Sequence, residues 1–88
     1  MQVSIEISLY PLAETEFKTE IWTFIKRLRL VDGLNVVTNG MSTQVFGDYD
    51  LATTHVMAEI KQVHKTVGTA VFVCKFIAGD RSVVEAES

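Results

Sequence analysis

Cysteine, proline and basic charge are all scarce in this sequence of 88 residues. The single cysteine, Cys74, can form no disulfide within the chain and no thiol cluster for a metal, which favours a reducing, cytoplasmic setting. No apolar run approaches the length of a membrane span, and the N-terminus lacks the regions of a signal peptide, so we expect no membrane insertion. The eight lysines and arginines are scattered and the net charge is -3, which argues against nucleic acid as a partner.

The length allows one domain with a small core. The composition, 48% hydrophobic and 22% charged, is that of a folded globular chain. We expect residues 1–80 to form the domain and residues 81–88 to be an acidic tail. Because a core of this size is marginal by itself, self-association into a homodimer or homotetramer is expected to add buried area.

Hydrophobic periodicity divides the chain into six elements. Apolar and polar residues alternate in a half-buried strand, whereas a 3.6-residue repeat is typical of an amphipathic helix. Asn39-Gly40 indicates a two-residue hairpin turn, and Asp48 or Asp50 can cap a helix. The predicted elements are a strand over 3–10, a helix from Glu14 to Asp32-Gly33, strands over 34–38 and 41–46, a helix ending at Gly68 and a strand over 69–77. The predicted buried stripes of the helices are Phe17, Ile21, Phe24, Ile25 and Leu28, then Val56, Ile60, Val63 and Val67.

This order predicts an α+β fold of ferredoxin-like βαββαβ type. Right-handed crossovers place both helices on one face of a four-stranded antiparallel sheet and leave the other face open. In the first strand Val3, Ile5, Ile7 and Leu9 are predicted to face the helices, while Ser4, Glu6, Ser8 and Tyr10 face the open side. The last strand is apolar on both faces, which predicts that both are covered.

Glu6 is the most informative polar residue of the predicted sheet. A carboxylate in the middle of a central strand is costly to desolvate unless a donor or a cation meets it. One explanation is structural: the open face is wet, or Lys75 on the adjacent last strand pairs with Glu6. The other explanation is functional, with Glu6 receiving a cationic or amino-bearing ligand.

Other side chains near Glu6 suit a heteroaromatic ligand, although each taken singly is accounted for by a structural role. The turn explains Asn39 fully, and Thr43 has the opposite strand parity to Ser42 and Gln44. Hydrogen-bonding groups come from Ser8, Ser42, Thr43 and Gln44, and flat or polarizable surface comes from Tyr10, Met41 and Phe46.

The sequence contains no sign of a catalytic triad, a metal-ligand cluster or a Gly-rich phosphate loop. His55 and His64 lie on the second predicted helix, off its apolar stripe, where a solvated surface role is the simplest interpretation. We therefore expect a protein that is not an enzyme and needs no cofactor or metal.

Four segments of the chain resemble the YkoF-like thiamine-binding family. They are Glu6-Ile7-Ser8-Leu9-Tyr10-Pro11-Leu12, Phe24-Ile25 with Leu28-Arg29, Thr38 to Asp48 including TNGMSTQ, and Val71 to Asp80. The resemblance implies non-catalytic binding of thiamine or its hydroxymethylpyrimidine part by a ferredoxin-like domain, in salvage or transport of the vitamin. Some members carry two such domains, so the resemblance implies that this single domain pairs with a second copy through its sheet.

The resulting hypothesis places thiamine, as ligand, between the first and third strands. The predicted ligand-binding residues are Glu6, Ser8, Tyr10, Asn39, Met41, Ser42, Thr43, Gln44 and Phe46. In this hypothesis Glu6 meets positive charge or the amino group, and Glu6→Gln weakens binding. Two rival hypotheses stay open: a small enzyme of the dimeric α+β barrel kind, and a regulatory module whose open sheet face is only a subunit interface.

Overall fold

The computed structural model describes residues 1–12 and 18–83. The predicted start of the first helix at Glu14, its residue Phe17 and the end of the acidic tail lie outside these residues. The elements are β1 (Gln2–Pro11), α1 (Lys18–Arg29), β2 (Asn35–Thr38), β3 (Thr43–Asp48), α2 (Tyr49–Val67) and β4 (Ala70–Ala78).

The four strands form one antiparallel sheet in the order β2-β3-β1-β4. The strand β1 pairs with β3 on one side and with β4 on the other, so that Gln44 and Lys75 flank Glu6. With two helices joined to this sheet in βαββαβ order, the predicted ferredoxin-like α+β fold is confirmed.

The core lies between the helices and one face of the sheet. Alternation along β1 buries Val3, Ile5 and Ile7, as predicted, because successive strand residues point to opposite faces. Leu28 is fully buried in α1, and Val67 packs against the core from the end of α2. The other buried apolar residues are Phe24, Ile25, Val45, Ala52, Val56, Ile60 and Val63.

The helix α2 is closed at both ends by residues that the sequence predicted. The Asp48 carboxylate accepts a hydrogen bond from the backbone N–H of Leu51 at 3.2 Å, which satisfies an otherwise unpaired donor of the first turn. At the other end Gly68 takes a φ of 84°, which favours glycine. His64 is exposed, but it also has a structural contact, because its Nε2 lies 3.0 Å from the carbonyl oxygen of Ala70.

The hairpin between β2 and β3 differs from the prediction. Its loop has four residues, Asn39 to Ser42, since the last strand pair is Thr38 with Thr43. The Asn39 side-chain oxygen accepts hydrogen bonds from the N–H groups of Met41 at 2.8 Å and Ser42 at 3.2 Å. Because this amide holds the turn, Gly40 does not adopt the positive φ that a two-residue type I′ turn requires.

The helix-free side of the sheet, called the open face below, carries apolar side chains that the described part of this chain leaves exposed. On β4 the exposed fractions are 42% for Val71, 52% for Val73 and 43% for Ile77. Within the described residues of one chain this face of β4 is therefore not covered, and its coverage stays a prediction.

Candidate functional site

A cavity of about 270 Å³ lies between α1, the second half of β1 and the hairpin loop. We call it the hairpin pocket. Its volume is close to the lower end of the range for small-molecule sites, roughly 300–1,000 Å³. The residues that line it are Ile7, Ser8, Leu9, Tyr10, Ile21, Trp22, Phe24, Ile25, Thr38, Asn39, Gly40, Met41, Ser42 and Thr43.

Among the described residues, the lining of the hairpin pocket combines aromatic, aliphatic and polar side chains and includes no charged one. Trp22 contributes a large ring that is 47% exposed, and Tyr10 and Met41 are exposed at 55% and 88%. Hydroxyl and amide groups of Ser8, Thr38 and Asn39 belong to the same lining. Such a cavity matches an uncharged heteroaromatic ring, which needs flat apolar contacts and a few directional hydrogen bonds.

The open face carries a second concavity of about 290 Å³, here called the open-face depression. It contains one carboxylate and two basic side chains, Glu6, Lys75 and Arg81. Its remaining lining residues are Ser4, Ile5, Gln44, Phe46 and Ile77. Arg81, at the start of the predicted tail, donates its backbone N–H to Ser4 Oγ at 2.8 Å, which fixes the chain beside β1.

The Glu6 carboxylate is bonded to neighbouring side chains of the sheet. Ser42 Oγ donates to Glu6 Oε2 at 2.9 Å, and Lys75 Nζ lies 3.3 Å from Glu6 Oε1. The Ser42 hydrogen bond, followed by the hydrogen bond and charge of Lys75, holds the pKa of Glu6 below its usual value. The Lys75 pairing considered in the sequence analysis is therefore present, and both carboxylate oxygens have partners.

The predicted ligand-binding residues fall into two groups. Those in the hairpin pocket are Ser8, Tyr10, Asn39, Met41, Ser42 and Thr43. Those in the open-face depression are Glu6, Gln44 and Phe46. Ser42 joins the groups, because it lines the hairpin pocket while its hydroxyl contacts Glu6 and accepts a hydrogen bond from Gln44 Nε2 at 2.9 Å.

Thr43 is a special case within the pocket lining. Its side chain points to the helix side of the sheet, as its strand parity predicted, and only 7% of the residue is exposed. Its Oγ1 shares a hydrogen bond with Thr38 Oγ1 across the strand pair, at 3.0 Å. Much of its hydrogen-bonding capacity is therefore used inside the protein.

Sequence reasoning missed the helical wall of the hairpin pocket. Ile21, Phe24 and Ile25 were assigned to the core, and Trp22 was not considered. A signal for Trp22 was present, because the only tryptophan of the chain follows Ile21 and so falls beside, rather than on, the buried stripe of α1. An aromatic residue at the margin of a buried stripe lies where the helix meets solvent.

The described residues support neither a metal site nor a membrane-spanning helix. Within 1–12 and 18–83, no group of three or more His, Cys, Asp or Glu side chains is placed to hold a metal ion. Neither α1 nor α2, as described, has the length and apolar character needed to cross a membrane.

No protein-family model and no curated protein sequence matches the chain. Solved structures do match. A hypothetical protein of Methanocaldococcus jannascii superposes with a TM-score of 0.77 at 24% identity, covering 93% of this chain and 84% of that chain. A protein of Thermotoga maritima named as a "putative thiamine biosynthesis/salvage protein" superposes with a TM-score of 0.77 at 16% identity, covering 94% and 91%.

A domain of unknown function of the DUF77 group, from Bacillus cereus, has the same fold, with a TM-score of 0.67, 18% identity and coverage of 97% and 83%. At these identities the likeness shows the fold alone. The chain is an α+β domain of the ferredoxin-like class, and one of its structural neighbours carries a thiamine-related name. Membership of the YkoF-like family stays a prediction.

Proposed function

We propose that this protein binds thiamine or its hydroxymethylpyrimidine part without catalysis, in cytoplasmic salvage or transport of the vitamin. The observation that carries the proposal is the hairpin pocket, a cavity whose described lining includes Trp22, Tyr10 and Phe24 and no charged side chain. The thiamine-related name of the Thermotoga maritima neighbour supports the same ligand class.

The ligand's chemistry fits the pocket in two ways. The aminopyrimidine ring presents both hydrogen-bond donors and acceptors. The hydroxyl of Ser8 can complement either, and the Asn39 Nδ2 can donate to an acceptor while its Oδ1 accepts from the loop. The thiazolium ring of thiamine is a cation, and the face of Trp22 can attract it at about 0.5–2 kcal/mol. Glu6 is not needed for either contact.

Binding without turnover is proposed because the side chains of the described lining offer only hydroxyl, amide, thioether, aromatic and aliphatic groups. General acid–base catalysis draws mostly on imidazole, carboxylate, ammonium and thiol groups, with tyrosine as a less common source. The same lining includes no lysine or arginine, the usual partners of phosphate. We therefore propose the unphosphorylated vitamin, rather than its diphosphate, as the ligand.

A tryptophan titration tests the proposal directly. Trp22 is the chain's only tryptophan and lines the pocket, so its fluorescence reports a ligand there. We expect saturable changes with thiamine or hydroxymethylpyrimidine, weaker changes with thiamine diphosphate and none with free amino acids. A ligand at 100 times its Kd adds about 2.7 kcal/mol of stability. For a domain this small, that raises Tm by roughly 10 °C or more. If neither compound changes fluorescence or Tm, the proposed function is wrong.

We also propose that two or four copies associate through the open face. Val73 and Ile77 of β4 and Val37 of β2 are exposed there, at 52%, 43% and 41%. Apolar side chains on a flat sheet face gain stability when a second face covers them. This assembly would pair the single domain with a second one.

A lysine in the middle of the open face tests the association. Sedimentation should show the wild-type chain as a dimer or tetramer and Val73→Lys shifted towards the monomer. Leu30→Lys is the matched control, because Leu30 is 82% exposed and lies outside the sheet, after α1. A monomeric wild-type protein, or equal masses for Val73→Lys and the wild type, contradicts an interface at this face.

A further inference from the structure

We propose that Glu6 is a positioning residue, which fixes the hairpin loop of the binding pocket through Ser42 instead of contacting the ligand. This inference rests on the proposed function of the hairpin pocket. It changes the role of the residue that sequence reasoning placed at the centre of the site. It also predicts that replacing Glu6 by alanine weakens the binding of charged and uncharged ligands equally.

The argument begins with Ser42, the last residue of the hairpin loop. Its backbone closes the loop, because its carbonyl oxygen accepts the N–H of Asn39 at 3.1 Å and its N–H donates to the Asn39 side chain at 3.2 Å. Its hydroxyl leaves the loop and donates to Glu6 Oε2 at 2.9 Å. One residue therefore connects the pocket wall to the sheet.

Glu6 is well placed to hold such a connection. It lies on β1, which is hydrogen-bonded to strands on both sides, with Gln44 and Lys75 as its cross-strand neighbours. A residue in the middle of a sheet moves less than a loop, so the carboxylate is the fixed end of the Ser42 hydrogen bond. The tip of the loop lies beyond this anchor, where Met41 is 88% exposed.

Direct contact between Glu6 and a ligand fits the geometry less well. Glu6 lines the open-face depression and does not belong to the lining of the hairpin pocket. Its Oε1 is engaged by Lys75 at 3.3 Å and its Oε2 by Ser42. A ligand cation in the hairpin pocket that approached Oε2 would compete with the Ser42 hydrogen bond.

Positioning of the loop and direct contact with the ligand predict different losses of affinity when Glu6 is substituted. They also differ in whether the loss depends on the charge of the ligand. Glutamine at position 6 keeps an oxygen that can accept from Ser42, whereas alanine does not. If Glu6 positions the loop, Glu6→Ala weakens binding of cationic thiamine and neutral hydroxymethylpyrimidine equally, by roughly 2- to 12-fold, the range for one ordinary hydrogen bond. Glu6→Gln then changes both affinities by less than about twofold.

The experiment measures both affinities by calorimetry for the wild type, Glu6→Ala, Glu6→Gln and Ser42→Ala. The double variant Glu6→Ala/Ser42→Ala should bind no more weakly than the weaker single variant, because both changes remove the same hydrogen bond. Glu59→Ala is the control, since Glu59 also forms a surface ion pair, with Arg27 at 3.5 Å, but lies outside the hairpin pocket. It should bind as the wild type does.

Amide hydrogen exchange gives a readout that needs no ligand. Glu6→Ala should speed exchange at the N–H groups of Met41 and Ser42 by roughly 2- to 12-fold, while Glu59→Ala leaves them unchanged. Unchanged exchange in Glu6→Ala overturns the inference, as does a Glu6→Gln variant that loses thiamine but keeps hydroxymethylpyrimidine. If the wild type binds neither compound but Glu6→Ala still speeds exchange in the loop, the positioning role is supported and only the proposed function is rejected.

Discussion

Replacement of Trp22 by alanine is expected to weaken binding of thiamine or hydroxymethylpyrimidine by about 5- to 150-fold. The estimate follows from stacking of a heteroaromatic ring on an aromatic side chain, which contributes about 1–3 kcal/mol. Trp22 lines the hairpin pocket and is 47% exposed, so its ring is available to a ligand. Calorimetry is the suitable measurement, because the variant lacks the only tryptophan.

Two further variants show whether this effect belongs to the pocket. Trp22→Phe keeps an aromatic face and should retain most of the affinity. Tyr49→Ala is the matched control, because Tyr49 is also a partly exposed aromatic residue of a helix, at 37%, but lies outside the pocket lining. Equal affinities for Trp22→Ala and the wild type would place the ligand elsewhere on the molecule.

Leu28→Ala is expected to lower the free energy of unfolding by about 2–5 kcal/mol. Leu28 has no exposed surface and lies in α1, so its removal leaves a cavity at the centre of the only core formed by the described residues. The expected loss is a large part of the roughly 5–15 kcal/mol that stabilises a typical domain. Urea unfolding followed by circular dichroism measures it.

The control lies two positions further along the chain. Leu30 is 82% exposed, so Leu30→Ala should change stability by less than about 0.5 kcal/mol. Where Leu28→Ala fails to fold, Ile25→Val is the milder test at a residue 2% exposed, with an expected loss of about 0.5–1.5 kcal/mol. A Leu28→Ala protein as stable as Leu30→Ala would show that the core is assigned wrongly.

The fold could be predicted because local patterns and the observed elements agree. Alternation in β1 separated the buried Ile5 from the polar Glu6, and the cap at Asp48 and the glycine at Gly68 set the ends of α2. The Glu6–Lys75 pairing was one of the explanations that the sequence left open, because β1 and β4 are neighbours in this topology, and the structure contains it. Each of these features depends on strand parity or on residues close in sequence.

The candidate site was less predictable because it depends on how distant elements meet. The sequence placed Glu6 and Asn39 in one site, whereas in the structure Glu6 lines the open-face depression and Asn39 lines the hairpin pocket. Strand parity predicts which face of the sheet a residue points to. It does not predict which helix packs beside a hairpin. The contribution of Trp22 therefore required the packing of α1 against β1 and the loop.

The hairpin also shows a limit of dipeptide signals. Asn39-Gly40 indicated a two-residue turn, but the amide of Asn39 bonds to the backbone two and three residues on. A short polar side chain that can satisfy neighbouring N–H groups competes with the backbone turn expected from the dipeptide. The result is a four-residue loop, which forms one wall of the hairpin pocket.

The pairing of β1 with β4 has a consequence for how the protein is made. This ladder joins Gln2–Pro11 to Ala70–Ala78, so one of the two neighbours of β1 is the last strand among the described residues. Contacts between residues so far apart in sequence form slowly, since a long loop must close first. During synthesis the β1–β4 ladder can therefore form only after β4 has left the ribosome, whereas the pairing of β1 with β3 needs only the residues up to Asp48.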